Sequence, residues 1–332
     1  MVLAGDIGGT KTILALYDES VQPLQTVRET VFKSRDFPQF NQMLHQFLAE
    51  ANPVRIRVIC LGVAAPILNG MCKTTNLPWL LSEHDLAKDF GVEKVRLLND
   101  LMATAYGMLF LKEDERVTLN VGADPCAYPK RNIAVIAAGT GLGEAMLYWN
   151  GQGYIPIASE GGHADFAPQS DQEIALLRYL QKEFGHVSYE RILSGPGLYN
   201  IYRFLRDSGF AKEPQWLAEQ LMQGDKSAVV SEMGLINKDQ NCVEALSLFA
   251  AIYGAEAGNL ALKCFSIGGV FIGGGIAPKL LSKLQDGAFM RGFTDKGRYT
   301  DLMRAMPVHV AQNSRAPLIG AAQYALSLDS VN

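Results

Sequence analysis

Two glycine-rich turns, each set between two apolar strands, constrain this chain more than any other feature. The first is Gly5-Asp6-Ile7-Gly8-Gly9-Thr10-Lys11, between strands expected over Met1–Ala4 and Ile13–Tyr17. The second is Ala138-Gly139-Thr140-Gly141-Leu142-Gly143, between strands expected over Ile133–Ala137 and Ala145–Trp149. Glycine lets backbone N–H groups approach a polyphosphate closely. The pair therefore predicts two domains, each offering a phosphate-binding hairpin. A P-loop would need a second glycine followed by Lys and Ser/Thr opening a helix. Here Thr10 occupies that glycine position, and a continuous apolar run follows. A dinucleotide fingerprint would also enter a helix, whereas Glu144–Trp149 reads as a strand.

At 332 residues the chain is too long for one small core, which again favours two domains. Its 34 acidic and 30 basic residues leave a net charge of −4, without the basic footprint of a nucleic-acid binder. No apolar run approaches the roughly 18 residues of a membrane span. No basic segment precedes the first apolar stretch, so a secretory signal is not expected. Asp329-Ser330-Val331-Asn332 is not a peroxisomal address. Five cysteines without a C-x-x-C pair read as reduced cytoplasmic thiols. The five histidines form no H-x-x-x-H pair, so no metal site built from side chains alone is expected.

Residues 1–32 read as three strands, broken at Gly8-Gly9 and Ser20–Pro23. A helix over Phe37–Glu50 and a buried strand over Arg57–Val63 follow. Ser82–Asp85 caps a short helix that stops before Gly91. A strand at Val95–Leu98 runs into a helix from Asn99-Asp100 to about Leu111. This is an alternating α/β half with a mostly parallel sheet. The polar, proline-bearing segment Lys112–Arg131 is read as the domain crossing. In the second half, Ser170 and Glu173 cap a helix that ends at Gly185. A long helix is expected over Val243–Lys263, with Leu246, Phe249, Tyr253, Ala257 and Leu260 on one face. Strand Val270–Ile272 opens into Gly273-Gly274-Gly275. The last helix, Pro317–Leu328, is expected to return to the first half. The domains are thus placed at 1–111 plus 314–332, and at 112–313.

Four groups of residues carry chemistry. Asp6 would repel a polyphosphate unless Mg²⁺ lay between them, and Mg²⁺ needs only one or two carboxylates beside phosphate oxygens. Thr10 and Thr140 can donate hydroxyl hydrogen bonds to phosphate, and Lys11 can add charge. Asp100 stands at a strand-to-helix junction, where it could be a cap shared with Asn99 or a proton acceptor for an attacking hydroxyl. Glu160, His163 and Glu190 flank turns and could read sugar hydroxyls, which both donate and accept. Asn76 could add a loop wall to them, with Trp79 read as core. Gly273, Gly274 and Gly275 let backbone pass close to a flat ring such as adenine.

In order along the chain, Gly5–Thr10, Leu98–Asp100, Ala138–Gly143, Glu160–Pro168, His186–Gly197 and Gly269–Gly275 together resemble the bacterial glucokinases. The likeness runs from about Val2 to Ala325. It implies a two-lobed actin-like ATPase (ribonuclease H-like) α/β fold, whose lobes close on glucose with ATP and Mg²⁺ in the cleft, and a cytoplasmic homodimer acting in glycolysis. It implies Asp100 as the base for the sugar 6-hydroxyl, and Asn99, Glu160, His163 and Glu190 as ligands of the other hydroxyls. Gly5, Asp6, Ile7, Gly8, Gly9, Thr10, Lys11, Gly139, Thr140, Gly141 and the Gly273–Gly275 triad fall to the nucleotide. Lys11-Thr12-Ile13 departs from the Asn-Ala-Arg of many members, and the zinc segment of the related repressor/kinase group is absent. A kinase for mannose, fructose or an N-acetylhexosamine is the neighbouring alternative. A non-catalytic sugar sensor would need a helix-turn-helix, and a protein-directed actin-like ATPase would not need Glu160 and His163.

Overall fold

The computed structural model describes all residues except 22, 51–54, 75, 124–129 and 329–332. The expected Ser20–Pro23 turn, part of the Lys112–Arg131 crossing, Cys126 and the last four residues therefore lie wholly or partly outside the described residues. The chain divides into two compact units. One comprises Met1–Lys112, Tyr154–Ala158 and Asn313–Asn332, and the other Glu113–Gly153 and Ser159–Gln312.

In the first unit, β1 (Val2–Ile7), β2 (Lys11–Asp18) and β3 (Gln25–Lys33) form an antiparallel meander. Short turns join them, and short turns permit only antiparallel neighbours. β4 (Val58–Val63) pairs parallel with β1. β5 (Met71–Lys73) and β6 (Leu80–Ser82) form a separate small hairpin. β7 (Lys94–Asn99) pairs parallel with β4, giving the order β3-β2-β1-β4-β7. The sheet is thus mixed rather than mostly parallel, because the opening meander supplies the antiparallel half. One face packs on the helices Phe40–Ala49 and Glu83–Phe90 around Phe40, Phe47 and Trp79. The other packs Val2, Ala4, Val58 and Cys60 against Leu318, Ala321, Ala322 and Ala325 of the helix Ala316–Ser327. That helix lies on the helix Asp100–Met108.

The second sheet contains β8 (Arg116–Asn120), β9 (Ile133–Ala138), β10 (Leu142–Trp149), β11 (Tyr154–Ser159), β12 (Val270–Gly273) and β13 (Val308–Ala311). Its order is β11-β10-β9-β12-β13-β8. Its first five strands repeat the arrangement of the other sheet: a meander of three, then two strands added parallel on the far side of the first. The core of the second unit is built on the helix Gln240–Cys264, whose Leu246, Phe249, Tyr253, Ala257 and Leu260 are buried. By length and composition this helix could cross a membrane, but 72% of its most apolar window is buried in the protein, so packing accounts for its apolarity.

Several boundaries move for physical reasons. The first helix starts at Phe40, because Phe37 precedes Pro38 and is held extended at φ −119°, ψ 117°. The long helix begins at Gln240, since the Asp239 carboxylate accepts from the Cys242 N–H and caps it. The Asp100 helix ends at Met108. β8 lies within the segment read as a polar crossing; it is a half-buried edge strand, antiparallel to β13.

Candidate active-site residues

In the first unit the registers bring Asp6, Gly62 and Leu98 abreast, and then Ile7, Val63 and Asn99. β1, β4 and β7 run parallel, so Asp6 and Asp100 leave the sheet at the same carboxyl edge. Two interstrand spacings separate them, about 10 Å. Asn99 is the N-cap of the Asp100–Met108 helix, with its Oδ1 accepting from the Leu101 N–H at 2.9 Å. Asp100 is the first helical residue, and its Oδ1 accepts from the same N–H at 2.9 Å. Capping therefore falls chiefly to Asn99. The helix N-terminus favours the anionic form of Asp100.

The first glycine turn closes with the Gly8 N–H donating to the Lys11 carbonyl at 3.1 Å. Ser34 braces it: its hydroxyl donates to the Gly8 carbonyl at 2.7 Å, and its N–H donates to Thr10 O at 3.0 Å. Thr10 and Lys11 are exposed at the tip. Asn76 is exposed and lines a recess with Ile7, Gly8 and Gly9. Trp79 is 2% exposed, and its indole donates to Phe37 O at 2.9 Å, so it belongs to the core. Burial pushes the Asp6 carboxyl above the usual carboxylate range, against the pull of Lys11 and Arg315. Arg315 pairs with Glu29 at 2.5 Å. No sequence signal marked Arg315; its place depends on the return of the chain to the first unit.

In the second unit, Gly139 N–H donates to Gly141 O at 2.8 Å across the turn. β9 and β12 are parallel neighbours with Ala137 opposite Gly273, so this turn and the Gly273–Gly275 triad share one sheet edge. Gly274 has φ +80°, and a side chain there would meet the Ala138 carbonyl at 2.2 Å. Glu160 precedes the 3-10 turn Gly161–His163. His163 Nδ1 lies 4.0 Å from Glu190 Oε1. The other Glu190 oxygen accepts from the Leu142 N–H at 3.0 Å. Only a glycine at 141 leaves room for it, since a Cβ there would stand 2.5 Å away. Glu190 thus ties the Glu160–His163 segment to the second glycine turn. Backbone hydrogen bonds from Phe166 to Val187 (3.0 Å) and from Tyr189 to Ala164 (3.1 Å) join the two segments, with Asp165 on His186 at 2.7 Å.

The structure therefore assembles two sets, Asp6, Gly8–Lys11, Asn76, Asn99 and Asp100 in one unit, and Gly139–Gly141, Glu160, His163, Glu190 and Gly273–Gly275 in the other. The sequence model of the glucokinase family matches residues 3–328. The chain belongs to the glucokinase family. It is 41% identical to the glucokinase of Nostoc punctiforme over 342 residues, covering 99% of each chain. It is 42% identical to that of a Synechocystis species, covering 96% of each. Among solved structures, a glucokinase from an Antarctic psychrotroph superposes with a TM-score of 0.83 at 32% identity, covering 98% of each chain. A ROK family glucokinase from Streptomyces griseus, solved with glucose and AMPPNP, shares the fold at 20% identity and a TM-score of 0.63. The actin-like ATPase fold of this family is the doubled strand order seen in the two sheets.

Proposed function

We propose that this chain transfers the γ-phosphoryl group of ATP to the 6-hydroxyl of glucose, giving glucose 6-phosphate and ADP, with Asp100 as general base. The family supports this reading. The observation that carries it is the shared carboxyl edge of β1, β4 and β7, where a helix-held carboxylate stands about two strand spacings from a phosphate-binding turn. A hydroxyl attacking phosphorus needs a proton acceptor, and the rest of the acceleration comes from positioning and charge neutralisation.

Roles follow from chemistry. The N–H groups of Gly9 and Gly141, the hydroxyls of Thr10 and Thr140, and the Lys11 ammonium face the phosphates, while the Gly8 and Gly139 N–H groups close the two turns. Gly273–Gly275 gives adenine a flat approach. Asn76, Asn99, Glu160, His163 and Glu190 take the sugar hydroxyls, with the Asn99 amide NH₂ as the reading group because its oxygen serves the cap. Asp6 would hold the magnesium that accompanies ATP, and that ion would neutralise charge on the phosphates. The fit is good: a carboxylate pushed upward by desolvation gains from a cation, and Mg²⁺ on ATP asks the protein for little more. The same reading takes the enzyme to be a cytoplasmic homodimer, for which light scattering on the purified protein is the check.

The test is ADP release from MgATP, without sugar and then with glucose, mannose, fructose, galactose or N-acetylglucosamine. Strong stimulation by glucose supports the reading. Equal release in every case refutes it. Asp100→Asn is expected to lower turnover about 10²–10⁴-fold while glucose still binds. Near-normal turnover in that variant removes Asp100 from the mechanism.

A further inference from the structure

Behind the Glu160–His163 segment lie two carboxyl groups that the proposed reaction does not use. Glu144 is on β10 and 1% exposed, and Glu256 is on the helix Gln240–Cys264 and 0% exposed. Their side chains are within hydrogen-bonding reach of each other. Yet Oε1 of each has no hydrogen-bond partner. Two carboxylates in contact in a dry interior cannot both ionise, and an orphaned buried oxygen is costly. Among the described residues no group of three or more His, Cys, Asp or Glu side chains could hold a metal ion in their place.

We propose that Glu144 and Glu256 share one proton, and that this acid–carboxylate pair holds the segments bearing Glu160, His163 and Glu190 in their glucose-binding geometry. The proposal rests on the reading of those three residues as glucose ligands. The surroundings assign the charge to Glu256. Its Oε2 accepts from Asn259 Nδ2 at 2.9 Å, the same Nδ2 lies 3.1 Å from the Tyr189 hydroxyl, and Lys263 Nζ lies 3.6 Å from its Oε1. Glu144 then keeps the proton and donates it to Glu256. The other groups within electrostatic reach are Tyr253 and Cys264, which sense Glu144, and Lys296, which senses Glu256 and is held by the Ala255 carbonyl.

The pair touches both sugar-side segments. A Cβ at Gly161 would stand 2.0 Å from Glu144 Oε2, so the backbone between Glu160 and His163 rests directly on this carboxyl. Tyr189, which shares the Asn259 amide with Glu256, immediately precedes Glu190. Burial, and next the Glu256 charge, push the Glu144 carboxyl up to about 8. Above that pH the shared proton leaves for solvent, two carboxylates face each other, and the backbone resting on Glu144 must shift. Glucose KM should then rise more than kcat falls, because Asp100 belongs to the other unit.

The experiment measures glucose KM and kcat from pH 6.5 to 9.5 for the wild-type enzyme and Glu144→Gln. The amide of Glu144→Gln can donate to Glu256 but cannot ionise. The expected result is a wild-type KM that rises about tenfold and a flat KM in the variant. The same rise in both overturns the proposal. Infrared spectra of wild-type protein labelled with ¹³C at its glutamate carboxyls decide the matter even if the variant does not fold. A protonated glutamic acid band at pH 6.5 that fades by pH 9.5 is expected, and its absence at pH 6.5 overturns the shared proton. A fading band with a flat wild-type KM overturns the link to the sugar segments. If Glu160→Ala also leaves KM unchanged, the fault lies in the glucose-ligand reading instead.

Discussion

Gly320→Ala tests how the helix Ala316–Ser327 fixes the start of the Asp100 helix. A Cβ at Gly320 would stand 1.8 Å from the Ala103 carbonyl oxygen and 2.6 Å from the Gly107 nitrogen. A carbon rests against a carbonyl oxygen at about 3.3 Å, so the two helices must part by roughly 1.5 Å. Both obstacles are backbone, so no side chain can swing away. Overpacking of this kind costs about 1–3 kcal/mol, and two rigid backbones put it at the upper end. Alanine recovers about 1 kcal/mol of helix propensity. The net loss is about 2 kcal/mol, or a fall of about 4–8 °C in the melting temperature of a unit this size. Ala103 and Gly107 lie on the helix whose first residue is Asp100. A displacement near 1 Å at a reacting group costs about 10²-fold in rate. Calorimetry and ADP release should therefore report a lower midpoint together with a kcat reduced by one to two orders of magnitude. A variant with wild-type melting and wild-type kcat would refute the claim that this helix contact positions Asp100.

Gly139→Ala is the converse case. Nothing lies within 4 Å of its built Cβ, so stability should change by less than about 0.5 kcal/mol. The ATP KM should nevertheless rise, and an unchanged KM would remove this turn from the phosphate site. Two buried groups of the second unit give its stability a pH signature. Burial and then Arg116 depress His309 to about 4, so its contribution is present above the usual histidine value near 6.5 and is lost as pH falls toward 4. Glu144 is raised to about 8, so its contribution is full below the usual glutamate value near 4.5 and is lost as pH rises toward 8. The two oppose each other between about 4.5 and 6.5. From 6.5 to 8 the Glu144 loss stands alone, at up to about 1.4 kcal/mol per pH unit. Melting scans should show that fall in the wild type and a flatter profile in Glu144→Gln; parallel profiles would contradict it.

Much of both units was legible because the signals are local. Glycine turns, the Ser82 and Ser170 caps and the apolar face of the long helix each declare themselves within a few residues. Edge strand β8 did not, because an exposed edge tolerates polar residues and loses the alternation that marks a buried strand. The start of the first helix was misjudged where Pro38 overrides the apolar pattern around it. In the candidate site, Asp6, Asp100, Glu160, His163 and Glu190 stand beside turns that sequence can show. Arg315 and Glu144 were missed for another reason. Each acquires meaning from a partner far along the chain, Asp6 or Glu29 for one and Glu256 for the other. Nothing in Leu142-Gly143-Glu144 says that an acid waits opposite.

The helix Ala316–Ser327 also bears on synthesis. It covers Val2, Ala4, Val58 and Cys60, strand residues made long before the helix itself. Those residues keep an unpaved face until the whole second unit has been made. At ribosomal speeds of about 5–20 residues per second, that wait is about 13–50 s. The nascent first unit is therefore half-covered for most of its time on the ribosome. Chaperone capture or premature strand pairing should concentrate on that face, while the second unit can complete its core as it emerges.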